Sequence, residues 1–150
     1  MSDQDEYTLT IERRRIMFKL FSLQEANSMI PVVGELLEGM QDAIGDTLRL
    51  RDEIAAVGSQ SIEARNKAQE IAFLVRQVHE QKAQLDRMGV FLQDVDAGIL
   101  DFPSQLGAEV VCLTWEKGQD AITHYHRLND TAQQPLPAEV PETELTQVLA

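Results

Sequence analysis

The chain is 150 residues long, with 43% hydrophobic and 5% aromatic residues, 13 basic against 25 acidic side chains, and a formal charge of −12. That length fits one domain with extensions, and the scarcity of aromatic rings suits a helical bundle better than a β sandwich. The charge repels nucleic-acid backbones, a single cysteine excludes an internal disulfide, and the apolar runs are far shorter than the roughly 20 residues that cross a bilayer.

Neither nucleic acid nor a membrane is therefore expected as a partner, and a soluble cytoplasmic protein is. Residues 1–16 read as a flexible extension. It opens with the acidic Ser2-Asp3-Gln4-Asp5-Glu6, which is no signal peptide, and carries the basic cluster Arg13-Arg14-Arg15. Met17 is an alternative start.

Phe21-Ser22-Leu23-Gln24-Glu25 reads as a helix opening, because Ser22 can cap free amides and Glu25, three residues on, can return the favour as a capping box. Pro31 lacks an amide hydrogen and crowds the preceding turn, so a kink or a short helix ahead of a long one is expected there. Ala26, Ile30, Val33, Leu37, Met40 and Ile44 then recur in steps of four and three, which lays one apolar stripe along a helix and suits a partner helix. Gly34, Gly39 and Gly45 weaken that helix and suggest close approach of a neighbouring backbone. Gly58 ends it, with Ser59 or Ser61 as the next cap.

A second helix is expected over about 62–88, with Gly89 closing it and Ala64, Ala68, Ile71, Val75, Val78 and Leu85 as its stripe. The short connection makes the two helices antiparallel neighbours, each roughly 40 Å long. Within the second, Ile71-Ala72-Phe73-Leu74-Val75 is apolar all the way round, more than one partner helix covers. Phe73 or Leu74 must meet something else, either the rest of the chain or a second copy.

About four short antiparallel strands follow. Val90 to Val95 is the first, Asp96-Ala97-Gly98 a hairpin turn with Gly98 left-handed, and Ile99 to Phe102 the return, which Pro103 ends. Ala108 to Trp115 is a valine-rich third strand, Glu116-Lys117-Gly118 a turn, and Ala121 to Leu128 the fourth strand. Beyond Asn129 the proline-bearing, acidic stretch reads as a disordered tail. The whole is an α+β fold, mostly α, with a hairpin at 22–89 and a β unit at 90–128 inside a single domain at 17–128.

Three motifs in order resemble a known family. Phe21-Ser22-Leu23-Gln24-Glu25-Ala26-Asn27 with Ile30-Pro31 is the first, and Gly89-Val90 leading into Gly98-Ile99-Leu100-Asp101-Phe102-Pro103-Ser104 the second. Trp115, Gly118, Ile122, Tyr125 and His126 are the third. Over about residues 18–128 the chain resembles the bacterial domain-of-unknown-function family 2203. The resemblance implies a small bacterial protein with a helical hairpin and a β element, and no established activity. An arginine-bearing Gly-Phe-Ala-Gly-Arg-like stretch expected after the histidine is replaced by Asn129-Asp130-Thr131-Ala132-Gln133-Gln134, and a glutamate expected after Gly118 by Gln119.

Residues two apart in a strand share a face, so His124 and His126 can present two imidazoles to a metal, with Asp101, Glu116 or Asp120 as a third ligand. The plainer alternative is one packed histidine and one exposed. Asp101, Trp115 and His126 can line a small ligand cleft, with a stacking face, a titratable nitrogen and a charge partner. Against that stands a β core with a buried tryptophan. Cys112 lacks a local base and reads as a small buried residue; His79 reads as helix surface. Arg49, Arg51, Arg65, Lys67 and Arg76 alternate with acids as a solvated, ion-paired face.

Two functional readings emerge. The first is a non-enzymatic interaction or scaffold module that self-associates through its helical hairpin, as a coiled-coil homodimer or with a protein partner the sequence does not identify. Phe73 and Leu74 are its contact residues. The alternative is a small-ligand or metal-binding pocket in the β unit around Asp101, Trp115 and His126. No cofactor is predicted for the first; the second admits a divalent metal at His124 and His126.

Overall fold

A cap starts the fold. In a computed structural model, which describes residues 19–137, the Ser22 hydroxyl accepts from the Glu25 amide at 3.0 Å and a Glu25 carboxylate oxygen accepts from the Ser22 amide at 3.2 Å. Two free amides of the first turn are thus satisfied reciprocally, and α1 runs Leu23–Ser28. Met29 separates it from α2, Ile30–Val57, in which Pro31 falls in the first turn. Amides there have no partner within the helix, so the proline costs no hydrogen bond and the break comes just ahead of it. This is the expected short helix before a long one.

Gly58, at φ 89°, ends α2, and Ser61 caps α3, Ile62–Met88, by accepting from the Ala64 amide at 3.0 Å. Gly89 closes α3 in the left-handed conformation, φ 82°. The two long helices pack antiparallel, and Lys67 reaches Glu53 across the pair at 2.9 Å. The glycines of α2 do not admit a neighbouring backbone as expected. A Cβ on Gly34 would lie 3.4 Å from the Trp115 ring, one on Gly39 would meet the Gln81 amide group, and Gly45 faces open space.

The β unit has five strands rather than four, in sequential antiparallel order: β1 Phe91–Asp94, β2 Ile99–Leu106, β3 Glu109–Glu116, β4 His124–Arg127 and β5 Gln134–Pro135. Pro103 does not end β2. It pairs with Cys112 and turns its carbonyl outward, where the Phe21 amide donates to it at 2.7 Å. In an antiparallel ladder the amide and carbonyl of one residue point the same way, so β3 requires no hydrogen bond from this proline. Gly98 is left-handed, φ 76°, as the hairpin reading requires.

Residues 134–135 are not tail. They pair with β4, Leu136 packs against the main core and its amide donates to Thr123. The readings for residues 1–16, for Met17 and for the stretch after residue 137 lie outside the described residues.

One face of the sheet carries Leu100, Phe102, Val111, Leu113, Trp115 and Tyr125, and it packs on Phe21, Ala26, Val33, Leu37, Met40 and Leu85. Phe21 and Phe102 meet edge to face, centroids 5.3 Å apart. Gln41 fastens α2 to both neighbouring turns: its amide donates to the Val95 carbonyl at 2.9 Å and its oxygen accepts from Lys117 at 2.7 Å. The sheet therefore lies against the start of α2 and the end of α3. No helix among the described residues is long and apolar enough to cross a membrane.

Candidate functional site

The other face of the sheet holds the chemistry. Side chains alternate along a strand, so while Leu100, Phe102, Leu113 and Trp115 point at the helices, Asp101, Cys112 and Thr114 point away. Register then assembles them: Asp101 pairs with Thr114, and Cys112 with His126. Asp101 and His126 become diagonal neighbours across β3, both fully buried. His126 Nε2 lies 3.0 Å from Asp101 Oδ2, and the Thr114 hydroxyl donates to Asp101 Oδ1 at 3.0 Å. His126 Nδ1 lies 2.9 Å from the Arg127 carbonyl. Phe91 and Leu128 pack around Cys112 on this side.

Burial alone pushes the His126 imidazole toward neutrality. The Asp101 hydrogen bond and charge, with the Arg127 and Asp130 carbonyls, more than offset that and hold its pKa above the ordinary histidine value. The imidazolium form donates from both nitrogens, one to the carboxylate and one to carbonyl oxygen, which satisfies a pair of buried charges that would otherwise be costly.

Of the residues singled out from sequence, Asp101 and His126 come together and Trp115 does not join them. Trp115 pairs with Leu100 on the helix-facing side, beneath Gly34, and its indole N–H donates to the Gln119 carbonyl at 2.9 Å. The three residues do not line a common cleft. Nor do the two histidines act together. His124 is half-buried at the start of β4 with Nδ1 at 2.7 Å from the Thr123 hydroxyl, and Glu116 and Asp120 are exposed.

Among the described residues, the potential metal ligands that converge are Asp101, Cys112 and His126, their donor atoms all within 4.8 Å of one another and all three buried. Cys112 is the member that sequence reasoning set aside. Its period-two relation to Thr114 was legible, but the strand register that brings it to Asp101 and His126 was not. Asn27 was also overlooked; its side-chain oxygen accepts from the Ile122 amide at 2.8 Å and ties α1 to the approach to β4.

A second candidate surface lies on the hairpin away from the sheet. Along α3, Ala64, Lys67, Ile71, Leu74, Val78, Gln81, Leu85 and Met88 are buried or half-buried, in steps of three and four. Leu74 thus follows the rhythm of the helix interface, whereas Phe73 does not and is 59% exposed. Leu48, Val57, Ile62 and Val75 are also exposed. Ile44, Thr47, Leu48, Val75, Val78 and His79 line a shallow, mostly apolar groove between the helices.

A family model described as Uncharacterized conserved protein (DUF2203) matches residues 19–134. The chain belongs to this family. The match takes in the hairpin, all of the Asp101–Cys112–His126 cluster and the start of β5, so both candidate surfaces lie in the family's own domain. No match was found among curated proteins or among solved structures.

Proposed function

We propose that the protein is a non-enzymatic interaction module that forms a homodimer by pairing the sheet-distal halves of two helical hairpins. One observation carries this reading. Across residues 44–80 only Leu50 and Ala64 are buried apolar side chains, while Leu48, Val57, Ile62, Phe73 and Val75 are each more than 40% exposed. Apolar surface concentrated on a solvated pair of helices favours association, because burying it against a partner removes it from water.

Charge favours a second copy as that partner. The chain as a whole carries −12, yet residues 44–80 hold five basic and six acidic side chains, near balance. Two such surfaces can approach without the repulsion the remainder of the molecule would impose, and interleaved signs can pair across a two-fold axis. Phe73 and Val75 lie off the stripe that α3 turns to α2, so they remain for contact with a second copy. The acidic composition and the lone, buried cysteine suit a cytoplasmic setting.

Sedimentation velocity over a micromolar concentration series tests the proposal. The wild-type chain is expected to sediment as a dimer, and the double variant Phe73→Ser, Val75→Ser as a monomer with the same helical circular dichroism. A wild-type chain that stays monomeric throughout the series, or a double variant that dimerises as well as the wild type, overturns it.

A further inference from the structure

We propose that Asp101, Cys112 and His126 form a binding site for one divalent transition-metal ion, with zinc the best match. The three side chains supply oxygen, sulfur and nitrogen from three adjacent strands. Their donor atoms lie within 4.8 Å of one another, and each residue is 0% exposed.

The atoms behind the donors are arranged as a metal site needs. His126 Nδ1 is held by the Arg127 carbonyl at 2.9 Å, which orients the ring and leaves Nε2 toward Asp101 and Cys112. Thr114 occupies Asp101 Oδ1 at 3.0 Å and leaves Oδ2 on the same side. Backbone carbonyls behind ligating histidines and hydrogen bonds behind ligating carboxylates are the usual means of aiming such groups.

Donor chemistry selects the ion. A thiolate and an imidazole disfavour calcium and magnesium, which take oxygen, and favour borderline ions such as zinc. Zinc held tetrahedrally at about 2.0–2.1 Å from nitrogen and oxygen places those two atoms roughly 3.3 Å apart. His126 Nε2 and Asp101 Oδ2 already lie 3.0 Å apart, so the ion takes the place of the proton between them after a small adjustment. Binding displaces the proton between His126 Nε2 and Asp101 Oδ2 and converts the thiol to thiolate, releasing two protons. The ionised carboxylate and the thiolate then balance the ion's two positive charges.

The site is independent of the hairpin reading: it lies on the sheet, and a monomer would bind the ion as well as a dimer. The test uses the full chain without a histidine tag, stripped with a chelator and titrated with cobalt(II). Because the chain has a single cysteine, any thiolate-to-cobalt charge-transfer band reports Cys112. One equivalent of cobalt is expected to produce that band together with tetrahedral ligand-field bands, and zinc to abolish both. Thr114→Val is expected to weaken binding about tenfold by removing the hydrogen bond that orients the Asp101 carboxylate.

Zinc-edge X-ray absorption of the wild-type protein needs no variant. It should show one sulfur among nitrogen and oxygen neighbours. Cobalt binding without the thiolate band, or a zinc shell without sulfur, overturns the proposal.

Discussion

The two halves of the helical hairpin have the same backbone and different neighbours. In the sheet-proximal half, Val33, Leu37, Met40 and Leu85 are buried to within 1% of complete exclusion because they meet both the opposite helix and the β unit. In the distal half the helices have only each other, and Ala64 and Leu50 alone are closed off. A helix pair covers one stripe per helix; a third layer is needed to cover more. The sheet supplies that layer at one end, and at the other the apolar residues Phe73, Leu48 and Val75 stay in contact with water. The difference separates the part of the molecule that holds the fold from the part on which the proposed homodimer rests.

The sharpest way to break the contrast is to damage each half in turn. Phe102→Ala, on the sheet face beneath the proximal helices, is expected to cost about 3–5 kcal/mol, read as a lowered urea midpoint. In metal-free protein, His126→Gln removes the imidazole that faces the Asp101 carboxylate inside the sheet and is expected to cost a comparable amount, about 3–5 kcal/mol. Leu50→Ala in the distal half removes one of its few buried anchors and should cost about 2–3 kcal/mol, less than the sheet-side change because a two-helix layer can relax around the gap. Equal losses for Phe102→Ala and Leu50→Ala would remove the distinction between the halves.

A pH series sharpens the sheet side. The His126 pKa is raised in the folded state, so the pair's contribution is fully present below the ordinary histidine value of 6.5 and is lost as pH rises through the raised folded value. Chelator-treated protein is therefore expected to show a falling denaturation midpoint on the alkaline side, and His126→Gln to flatten that slope. A midpoint that climbs over the same range would contradict the charged-pair description. The smallest thermodynamic effect belongs to the distal surface: Phe73→Ser should change the stability of the isolated monomer by no more than about 0.5 kcal/mol. Its consequence appears in assembly, where the dissociation constant should rise. A Tm loss as large as that of Leu50→Ala, at a concentration where both chains are monomeric, would mean that the ring packs within its own subunit.

Local signals were legible wherever chemistry between near neighbours decides the outcome. Ser22 with Glu25, Pro31, Gly58, Ser61 and Gly89 marked the helix ends from the sequence because caps and breakers act within a few residues. The same reasoning misjudged Pro103, since whether a proline breaks a strand depends on which way its nitrogen points in the ladder, and that is set by β3 and the Phe21 segment. It also read Gln134–Pro135 as tail. Two residues carry no periodicity of their own and become a strand only because β4 offers an open edge.

What the sequence determined by itself is the sum of short-range preferences: a helical hairpin interrupted near Pro31, a glycine-punctuated β unit, and a hydrophobic excess around Phe73 that one partner helix does not absorb. Only the tertiary structure decided that Trp115 and His126 face opposite sides of the sheet, and that Asp101, Cys112 and His126 meet across three strands. The reason is physical. Helix stripes and caps arise from contacts three or four residues apart, whereas the cluster depends on strand register, and a slip of one residue would send each of its side chains to the other face.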